Sequence, residues 1–353
     1  MPILNKNKDQ YIQRFLLKWY EKNKRELPWR NIKPNNQANA YYVLVSEFML
    51  QQTTVNTVIK RFNEFIKLWP SIDKLGRISE NRILRFWSGL GYYNRAKNLL
   101  KTIKIISRDF KSKVPQHYDR LIELPGVGDY TAKAILGIAY NQPVLPLDAN
   151  IKRIIARLYG IKTLLRLNKK KIEDIASQYQ SLNKASDLIQ SFMDYGSAIC
   201  LPRNPKCDEC LIEKFCEARK KNIQHLIPFK NLSLEKKKIK FTRAYIVVNN
   251  RNEILVNRRK SSGMLASMLE VPNDQWVNKK KLLERNAIYE KVGNKFKYKG
   301  AFTYSFSHFD LDIDIYKTVV KKKMFKDHKW MKTNQIHISG MPTVMKQIIK
   351  KSR

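Results

Sequence analysis

The chain has 353 residues, which is enough for two domains of ordinary size. Its 69 Lys and Arg outnumber 30 Asp and Glu, giving a net charge of +39. This excess favours a polyanionic partner such as nucleic acid or an anionic membrane, and a lysine-rich proteome is the alternative explanation. No apolar run reaches the roughly 18 residues of a membrane span. The start, MPILNKNKDQ, lacks the apolar stretch of a signal peptide, so we expect a cytoplasmic protein.

The first part of the chain, from about residue 9 to 199, predicts one helix after another. Ile12, Phe15, Leu16 and Tyr20 recur at the spacing of one buried helical face. The stretch before Pro70 predicts one or two further helices. Later helices are predicted by ENRILRFWSGL, NRAKNLLKTIKIISRDF, HYDRLIEL and KASDLIQSFMDYGSAIC.

A glycine-containing turn interrupts this helical pattern at Gly126, Val127 and Gly128, within LPGVGDYTAKAI. Glycine permits close backbone approach, so amide groups at the start of the following helix can point at a phosphate. An ordinary loop between two helices is the alternative. These three residues are candidate backbone-binding residues for nucleic acid.

Asp148 begins another short helix in the stretch DANIKRIIARLYG. Asp is a favoured N-cap residue, and Gly160 stands where a C′ glycine belongs. On this window alone, capping is the simpler role for Asp148.

All four cysteines lie in one short stretch, Cys200, Cys207, Cys210 and Cys216. A disulfide framework would spread them along the chain, so the clustering indicates a metal site. Structural zinc usually has two close pairs, whereas here a single close pair is flanked on both sides. Four cysteine thiolates can also hold an iron–sulfur cluster, and zinc remains the alternative.

The end of the chain changes to a β pattern after a basic linker. Two strands are predicted around Asn249–Asn252. In AFTYSFSHFDLDIDIYKTVV the apolar residues alternate first on even and then on odd positions. The phase slips at Ser307–His308, which requires a bulge or a tight turn. We therefore predict a mostly α domain over residues 1–219 with a cysteine loop at 200–216, a linker over 220–240, and a smaller α+β domain over 241–353.

Two features make the chain similar to the helix–hairpin–helix DNA glycosylase superfamily. The Gly126–Gly128 turn joins two predicted helices, and Asp148 follows Gly128 by twenty residues, after a Pro-containing loop. The cysteine spacing matches the loop of the superfamily's iron–sulfur branch. The resemblance implies a [4Fe-4S] cofactor on the four cysteines. It also places Asp148 opposite the deoxyribose of a flipped nucleotide.

Within this superfamily, endonuclease III-type enzymes carry a nucleophilic Lys at the position of Tyr130. Its absence, and the string VSEFMLQQTTV, make the chain similar to MutY-type adenine DNA glycosylases. The resemblance implies that Glu47 is the general acid and that Gln52 probes the opposed base pair. From WSGLGYYNRAKNL it implies that Leu90 and Tyr92 enter the base stack. Without the resemblance, a solvent-facing Glu47 would be the simpler reading.

The remaining implied roles concern the two carboxylates and the C-terminal domain. Asp148 would stabilise an oxocarbenium-like sugar, Tyr130 would hydrogen-bond near both carboxylates, and Asn150 would orient Asp148 or water. MutY enzymes end in a Nudix-like domain that recognises 8-oxoguanine. The chain shows no Nudix hydrolase box, and its recognition residues would be Phe306, Ser307 and His308.

The chain departs from the family pattern at three positions. Ala149 stands where the family has Gly after the catalytic Asp, and Ala266 and Ser267 replace two further glycines. Ala266 and Ser267 are expected to change the detailed shape of the loop that begins at Gly263, and Ala149 is expected to add a methyl group close to the sugar site while remaining compatible with the Asp148 cap.

We therefore expect a monofunctional adenine DNA glycosylase of base excision repair, a monomer at the nucleoid with no membrane partner. It would bind duplex DNA with adenine opposite 8-oxoguanine or guanine. The alternatives are an endonuclease III-like pyrimidine glycosylase with lyase activity and a non-catalytic iron–sulfur scaffold that binds DNA.

Overall fold

A computed structural model of the chain describes residues 6–30, 38–180, 183–229, 237–260, 263–325, 328–336 and 339–352. These residues form two compact units. The first, helical unit comprises Met1–Arg77 and Asn98–Ser233, and the second comprises Ile78–Lys97 and Leu234–Arg353. Residues 78–97 thus belong to the same unit as the C-terminal part of the chain.

The α-helices of the described residues comprise those predicted from the apolar spacing up to residue 199 and three further helices after residue 216 that the sequence pattern did not predict. They are α1 (Lys6–Asn23), α2 (Ala40–Leu50), α3 (Val55–Leu68), α4 (Ile72–Gly76), α5 (Glu80–Phe86), α6 (Asn94–Asp109), α7 (Tyr118–Ile122), α8 (Asp129–Ala134), α9 (Ala149–Leu158), α10 (Lys169–Ala176), α11 (Ala185–Ala198), α12 (Glu217–Lys220), α13 (Ala287–Val292) and α14 (Thr343–Lys351). A π-helical turn, Ile135–Ala139, directly continues α8.

Two helices show how the sequence patterns become buried surface. In α1 the predicted face is confirmed, because Ile12, Leu16 and Tyr20 are buried. Helix α2 differs, since Tyr41 and all residues from Val43 to Met49 are buried. A helix that is apolar on every side belongs inside a domain, so α2 lies in the interior of the helical unit. The polar side chains of Ser46 and Glu47 on α2 are therefore removed from water.

The predicted turn between α7 and α8 is confirmed, and its first glycine is required sterically. Gly126 has φ +82°, a conformation that residues with a side chain rarely adopt. A Cβ at this position would lie 2.8 Å from Asn98 Cβ and 2.9 Å from Phe48 Cε1. The turn therefore packs its backbone directly against α2 and α6.

The second unit is built on a mixed sheet. Its strands are β1 (Lys238–Asn249), β2 (Glu253–Arg258), β3 (Leu269–Glu270), β4 (Lys297–Ser305), β5 (Phe309–Val320) and β6 (Lys329–Lys332). The order is β3-β2-β1-β5-β4, and β6 pairs with β2. Strands β1 and β5 run parallel, and β4 and β5 form an antiparallel hairpin. The two strands predicted around Asn249–Asn252 are confirmed.

Each face of this sheet carries its own apolar core. On one face, α14 contributes Val344 and Ile348 to a cluster with the odd-numbered residues of β5 from Phe309 to Ile315. On the other face, Ile288 of α13 packs with Tyr245 and further apolar residues. The alternation of the strands therefore divides their side chains between two helices, one packed on each face of the sheet.

The phase slip at Ser307–His308 is a tight turn. Phe306 N–H donates to the Phe309 carbonyl (2.9 Å), so only Ser307 and His308 lie between the paired strands. Both residues are exposed. The turn moves the apolar side chains from even positions on β4 to odd positions on β5, so they stay on one face.

Strand β1 begins at Lys238, inside the stretch predicted as linker, and residues 230–236 of that stretch lie outside the described residues. The domain limits 1–219 and 241–353 stay predictions. None of the helices in the described ranges is long and apolar enough to cross a bilayer.

The packing at Gly126 generates a stability prediction. Gly126→Ala introduces both a left-handed alanine and a clash with Asn98 and Phe48, so we expect a loss of about 1–3 kcal/mol in the free energy of unfolding. Thermal or urea unfolding measures this loss.

Gly128→Ala is the matched control, because a Cβ there meets nothing within 4 Å and its φ is −99°. We expect a change below about 0.5 kcal/mol for this variant. Equal losses for the two variants would contradict the packing argument.

Candidate active site

Glu47 is a carboxyl group inside an apolar helix. It lies in α2 and its exposed fraction is 6%. Burial raises the pKa of Glu47 to about 7, a hydrogen bond from the Tyr130 hydroxyl opposes the rise, and the nearby Asp148 carboxylate adds to it. The structure therefore places Glu47 in the interior rather than facing solvent. Near neutral pH this carboxyl holds its proton for a substantial fraction of the time.

Tyr130 meets Glu47 from the helix that follows the glycine turn. Gly128 is the N-cap of α8, which sets Tyr130 in the first turn of that helix. Burial raises the pKa of Tyr130 well above its ordinary value, and the negative charges of Glu47 and Asp148 raise it further. The phenol therefore remains protonated and donates its hydrogen bond to Glu47, with the Asp148 carboxylate nearby.

Asp148 is the N-cap of α9, as its sequence position predicts. Its Oδ1 accepts a hydrogen bond from Ile151 N–H (2.6 Å), and its Oδ2 accepts one from Asn150 Nδ2 (2.9 Å). Burial raises the pKa of Asp148, and these donors, with the charge of Arg153, counteract part of that rise. Capping and proximity to Glu47 thus occur together in one residue.

A chain of hydrogen bonds connects Asp148 to the cysteine loop. Arg153 donates from Nη2 to Asn150 Oδ1 (2.9 Å) and to the Gly196 carbonyl (2.7 Å). From Nε it donates to the Cys200 carbonyl (2.8 Å). A Cβ on Gly196 would lie 2.6 Å from Asn150 Cβ, so only glycine lets Asn150 fit.

The sequence analysis did not single out Arg153, which is 5% exposed. Arg153 lies opposite the Ile151, Ile154, Ile155 and Leu158 face of α9, so the periodicity of the helix gave no signal of its burial. A buried guanidinium needs several acceptors, and the structure supplies them. Arg153 holds Asn150, and through it Asp148, against the backbone of the first cysteine.

The four cysteines are free thiols, all partly buried. Arg157 Nη1 lies 3.2 Å from Cys200 Sγ, and the Tyr195 hydroxyl lies 3.3 Å from Cys210 Sγ. Burial raises the pKa of Cys210 to about 11, and the neighbouring thiols Cys200 and Cys216 contribute to this rise. The sulfurs are therefore close enough to influence one another electrostatically. Within the described ranges, no group of three or more His, Cys, Asp or Glu is arranged to hold a metal ion.

A second buried carboxylate, Asp194 of α11, was also missed by the sequence analysis. It is 1% exposed and forms ion pairs with Arg25 and with Arg30, whose Nη1 lies 2.7 Å from Asp194 Oδ2. Burial tends to raise the pKa of Asp194, but the hydrogen bonds and charges of these arginines outweigh it and lower the pKa. This network fastens the segment after α1 to the helix that leads into the cysteine loop.

The candidate DNA-binding residues of the helical unit are displayed to different degrees. Gln52 is exposed and has φ +56°, just beyond the C-terminus of α2. Gly126 and Gly128 are exposed, whereas Val127 is buried and its N–H donates to the Leu124 carbonyl (3.0 Å). The Val127 amide is thus engaged inside the turn, and the exposed backbone of this turn is that of the two glycines.

The candidates of the second unit lie in a loop and in the β4–β5 turn. Tyr92 is 41% exposed with φ +46°, whereas Leu90 is only 5% exposed. The Tyr92 hydroxyl is hydrogen-bonded to the Ser307 hydroxyl at the tip of the turn. His308 is exposed beside it, and Phe306 packs at the edge of the core with Trp276 and Phe309. The structure therefore brings Tyr92 and Ser307 together.

The departures from the family pattern are accommodated locally. Ser267 has φ +60°, the backbone conformation that glycine favours, although its residue type differs. Arg258 donates to the Ser267 carbonyl (2.7 Å), and Lys97 donates to the Ala266 carbonyl (2.9 Å). Ala149 is exposed in the first turn of α9. Its extra methyl therefore does not disturb the Asp148 cap.

Two family models match the chain. Residues 45–184 match the HhH-GPD superfamily of base excision DNA repair proteins, and residues 243–351 match the NUDIX domain. The first match contains Glu47, Tyr130 and Asp148, and the second contains the β4–β5 turn.

Curated relatives resemble the chain over nearly its whole length. It is 35% identical to the adenine DNA glycosylase of Buchnera aphidicola subsp. Schizaphis graminum, covering 96% of this chain and 98% of the relative. It is 26% identical to the adenine DNA glycosylase of Homo sapiens, covering 95% of this chain and 72% of the relative.

Solved structures share the fold of the helical unit. A thermostable thymine-DNA glycosylase aligns with a TM-score of 0.55 at 27% identity, covering 61% of this chain and 98% of that chain. A complex of endonuclease III with DNA aligns with a TM-score of 0.52 at 19% identity, covering 63% and 100%, which shows the fold alone. Together with the curated relatives, these matches show that the chain belongs to the adenine DNA glycosylases of base excision repair, the MutY-type hydrolases of N-glycosyl bonds that join a helix–hairpin–helix domain to a NUDIX domain.

Proposed function

We propose that this chain is a monofunctional glycosylase that removes adenine paired with 8-oxoguanine or guanine in duplex DNA. The observation that carries the proposal is the buried Glu47 with a pKa of about 7, beside Tyr130 and Asp148. The glycosidic bond is out of reach inside the stack, so the adenine must first be flipped out of the duplex. Glu47, Asp148, Tyr130 and Asn150 then carry out the bond cleavage.

Glu47 acts as the general acid. Adenine is a poor leaving group until one of its ring nitrogens is protonated, and Glu47 donates this proton to N7. An acid is most effective when its pKa lies near the working pH, and burial in α2 brings Glu47 to that range. Tyr130 keeps its own proton, so its hydrogen bond orients the Glu47 carboxyl without competing as an acid.

Asp148 acts in its ionised form on the sugar. As the bond breaks, the deoxyribose develops positive charge, which a carboxylate on the opposite face stabilises. Burial raises the pKa of Asp148, and the donors Ile151 N–H and Asn150 Nδ2, with the charge of Arg153, counteract part of that rise and favour the ionised form. Two carboxyl groups with opposite protonation states thus divide the work, as in retaining glycoside hydrolysis. Water completes the reaction and leaves an abasic site.

The proposal of monofunctional chemistry rests on the amines near the glycine turn. Tyr130 offers a phenol and therefore cannot form a Schiff base. Lys133 is engaged in an ion pair, with its Nζ 2.8 Å from Asp129 Oδ1. Neither residue supplies a free amine for sugar attack, so strand cleavage by a lyase step is not expected.

The protein binds DNA in two ways, through contacts with the phosphate backbone and through side chains that enter the base stack where the adenine has left it. The exposed glycines of the turn and the positive charge of the chain suit phosphate contacts. Gln52 and Tyr92 both combine a left-handed backbone with an exposed side chain, and the Tyr92 hydroxyl is hydrogen-bonded to Ser307. An exposed amide suits a residue that probes base edges, and an exposed aromatic ring suits insertion into the stack. Leu90 must be uncovered before it can act in the same way.

Recognition of 8-oxoguanine is assigned to the tip of the β4–β5 turn. Ser307 and His308 are the two residues of this tip, and both are exposed. Their hydroxyl and imidazole groups can donate to and accept from a base edge. Phe306 anchors the tip to the core through its ring contacts with Phe309 and Trp276.

The cysteine loop fits a [4Fe-4S] cluster held by Cys200, Cys207, Cys210 and Cys216. A cubane binds each thiolate to a separate iron, so the sulfurs need not converge on one point as they would for zinc. The Arg157 guanidinium and the Tyr195 hydroxyl lie within hydrogen-bonding distance of two of the sulfurs, as partners of metal-bound thiolates commonly do. When bound, the cluster would cross-link the loop, and Arg153 would relay that rigidity to Asn150.

The central test is single-turnover release of adenine from a duplex with adenine opposite 8-oxoguanine. Above pH 7 the Glu47 carboxyl loses its proton, so the bond-breaking rate should fall as the pH rises. Glu47→Gln cannot donate this proton, and we expect a rate loss of about 10²–10⁴-fold together with loss of that pH dependence. Asp148→Asn should lose release by a similar factor while still binding DNA. Strand breaks should appear only after alkali.

The control is Glu64→Gln, an exposed carboxylate paired with Arg61. It should leave both rate and pH profile unchanged. Release by Glu47→Gln at the wild-type rate would contradict the assigned acid. Cleavage at thymine glycol without alkali would favour an endonuclease III-like lyase, and tight binding without any release would favour a scaffold.

The same pKa predicts a linked effect on stability. Between pH 4.5 and about 7 the folded chain retains a proton that the unfolded chain loses, so stability falls as the pH rises through this window. Since one pKa unit corresponds to about 1.4 kcal/mol, Glu47→Gln should be more stable than wild type at pH 8 by about 3 kcal/mol. Urea unfolding at pH 5 and pH 8 measures the difference, which should shrink to about 1 kcal/mol or less at the lower pH.

Recognition of the opposed base is tested with Ser307→Ala and His308→Ala. Each variant should lower the preference for adenine opposite 8-oxoguanine over adenine opposite guanine by about tenfold, because one base-edge contact is lost. The measurement is the ratio of the two dissociation constants. Ser305→Ala is the control, since its hydroxyl donates to Asp310 (2.7 Å) within the hairpin. An unchanged ratio in the first two variants would contradict their role.

The cluster is tested by the metal content of protein purified without oxygen. We expect iron and inorganic sulfide at the stoichiometry of a four-iron cluster, and a strong decrease of both in Cys210→Ser. Thermal unfolding should show a lower midpoint after the metal is removed by a chelator. One zinc per chain without sulfide would contradict the assignment.

A further inference from the structure

The loop that carries Leu90 and Tyr92 has an unusual backbone. Gly89, Gly91 and Tyr92 all have positive φ, at +96°, +68° and +46°. Glycine adopts such angles readily, but tyrosine does so only where the surroundings impose the conformation. Tyr92 is nevertheless 41% exposed, so its own side chain is not enclosed by a core. Another group must hold this backbone.

Arg95 supplies that constraint from the first turn of α6. It is 7% exposed, and its Nη2 donates to the Leu90 carbonyl (2.8 Å) and to the Gly91 carbonyl (3.2 Å). The Gly91 carbonyl also accepts from Trp87 Nε1 (3.2 Å). The loop backbone is therefore held by donors on both sides of it in the chain.

The guanidinium also lies close to the two aromatic rings that flank the loop. Its carbon is 5.6 Å from the Trp87 ring centroid and 5.5 Å from that of Tyr92. Burial lowers the pKa of Arg95 to about 10, so it remains charged at neutral pH. A planar cation can donate within its plane and contact rings with its faces, which a lysine ammonium cannot reproduce.

We propose that Arg95 is a positioning residue that presets the Leu90–Tyr92 loop, so that Tyr92 is displayed for insertion into DNA before DNA binds. The inference rests on the proposed function, because it takes Tyr92 as the inserted ring. A preset loop loses less conformational freedom on binding, which strengthens binding without a new contact to DNA. Arg95 itself is assigned no contact with adenine or sugar.

The first test measures the loop without DNA. Hydrogen–deuterium exchange should rise in the peptide that spans residues 88–94 of Arg95→Met and change little in β1 or β5. Arg95→Lys should restore part of the protection, since it retains a charged donor. The control is Arg243→Met, which removes another largely buried guanidinium of the same unit, paired with Asp274. It should lower the thermal midpoint without selective exchange in the 88–94 peptide.

The second test measures binding to a duplex with adenine opposite 8-oxoguanine. Tyr92→Ala should raise the dissociation constant about tenfold or more, because stacking is lost. Arg95→Met should raise it by a similar factor, with a change of less than about threefold in bond-breaking rate at saturating enzyme. In a Tyr92→Ala background, Arg95→Met should have almost no further effect, since residues that act as one unit are not additive.

Three results would overturn the proposal. The first is an equal effect of Arg95→Met on the dissociation constant with and without the Tyr92 ring. The others are hydrogen–deuterium exchange that rises throughout the second unit, and a lost bond-breaking rate with unchanged binding. Wild-type protein that fails to release adenine would instead contradict the proposed function. The exchange experiment uses no substrate, so it decides on Arg95 in that case as well.

Discussion

A carboxyl group buried in an apolar helix is the constraint on which the helical unit depends. Taking Glu47 out of water disfavours its charge, and the chain tolerates this because the group can keep a proton and receives a hydrogen bond from Tyr130. Helix α2 must therefore be enclosed on all sides, and the glycine turn must approach closely enough to bring α8 against it. The contact of Gly126 with Phe48 of α2 is part of that enclosure.

Asp148 and the cysteine loop are parts of one connected arrangement. Helix α9 presents Asp148 at its N-terminus, Arg153 one turn later and Arg157 after a further turn. Arg153 hydrogen-bonds to Asn150 and to the Cys200 carbonyl, and Arg157 reaches Cys200 Sγ and the Leu201 carbonyl. Because both arginines are buried, each needs several acceptors, and the loop backbone supplies them. Displacement of the cysteine loop would thus be transmitted to the carboxylate.

The second unit holds exposed polar and aromatic side chains at defined positions. The β4–β5 turn exposes Ser307 and His308 because the strands exchange the phase of their apolar residues there. The Leu90–Tyr92 loop exposes Tyr92 because Arg95 donates hydrogen bonds to the Leu90 and Gly91 carbonyls and so fixes the loop backbone. Rigid support beneath an exposed side chain reduces the entropy lost on binding, so both features suit recognition of a large, structured partner.

The sequence alone determined the helices up to residue 199, the glycine turn, the α9 cap at Asp148, the β4–β5 turn and the candidate cysteines, because each depends on local periodicity or on residues close in the chain. It could not reveal Arg153, Arg95 or the Asp194 ion pairs, since their partners are set by close packing rather than by pattern. Nor could it decide whether Glu47 faces solvent, or that Leu90 is buried while Tyr92 is exposed. Burial and pKa depend on what surrounds a group in three dimensions, so only the tertiary structure decided them.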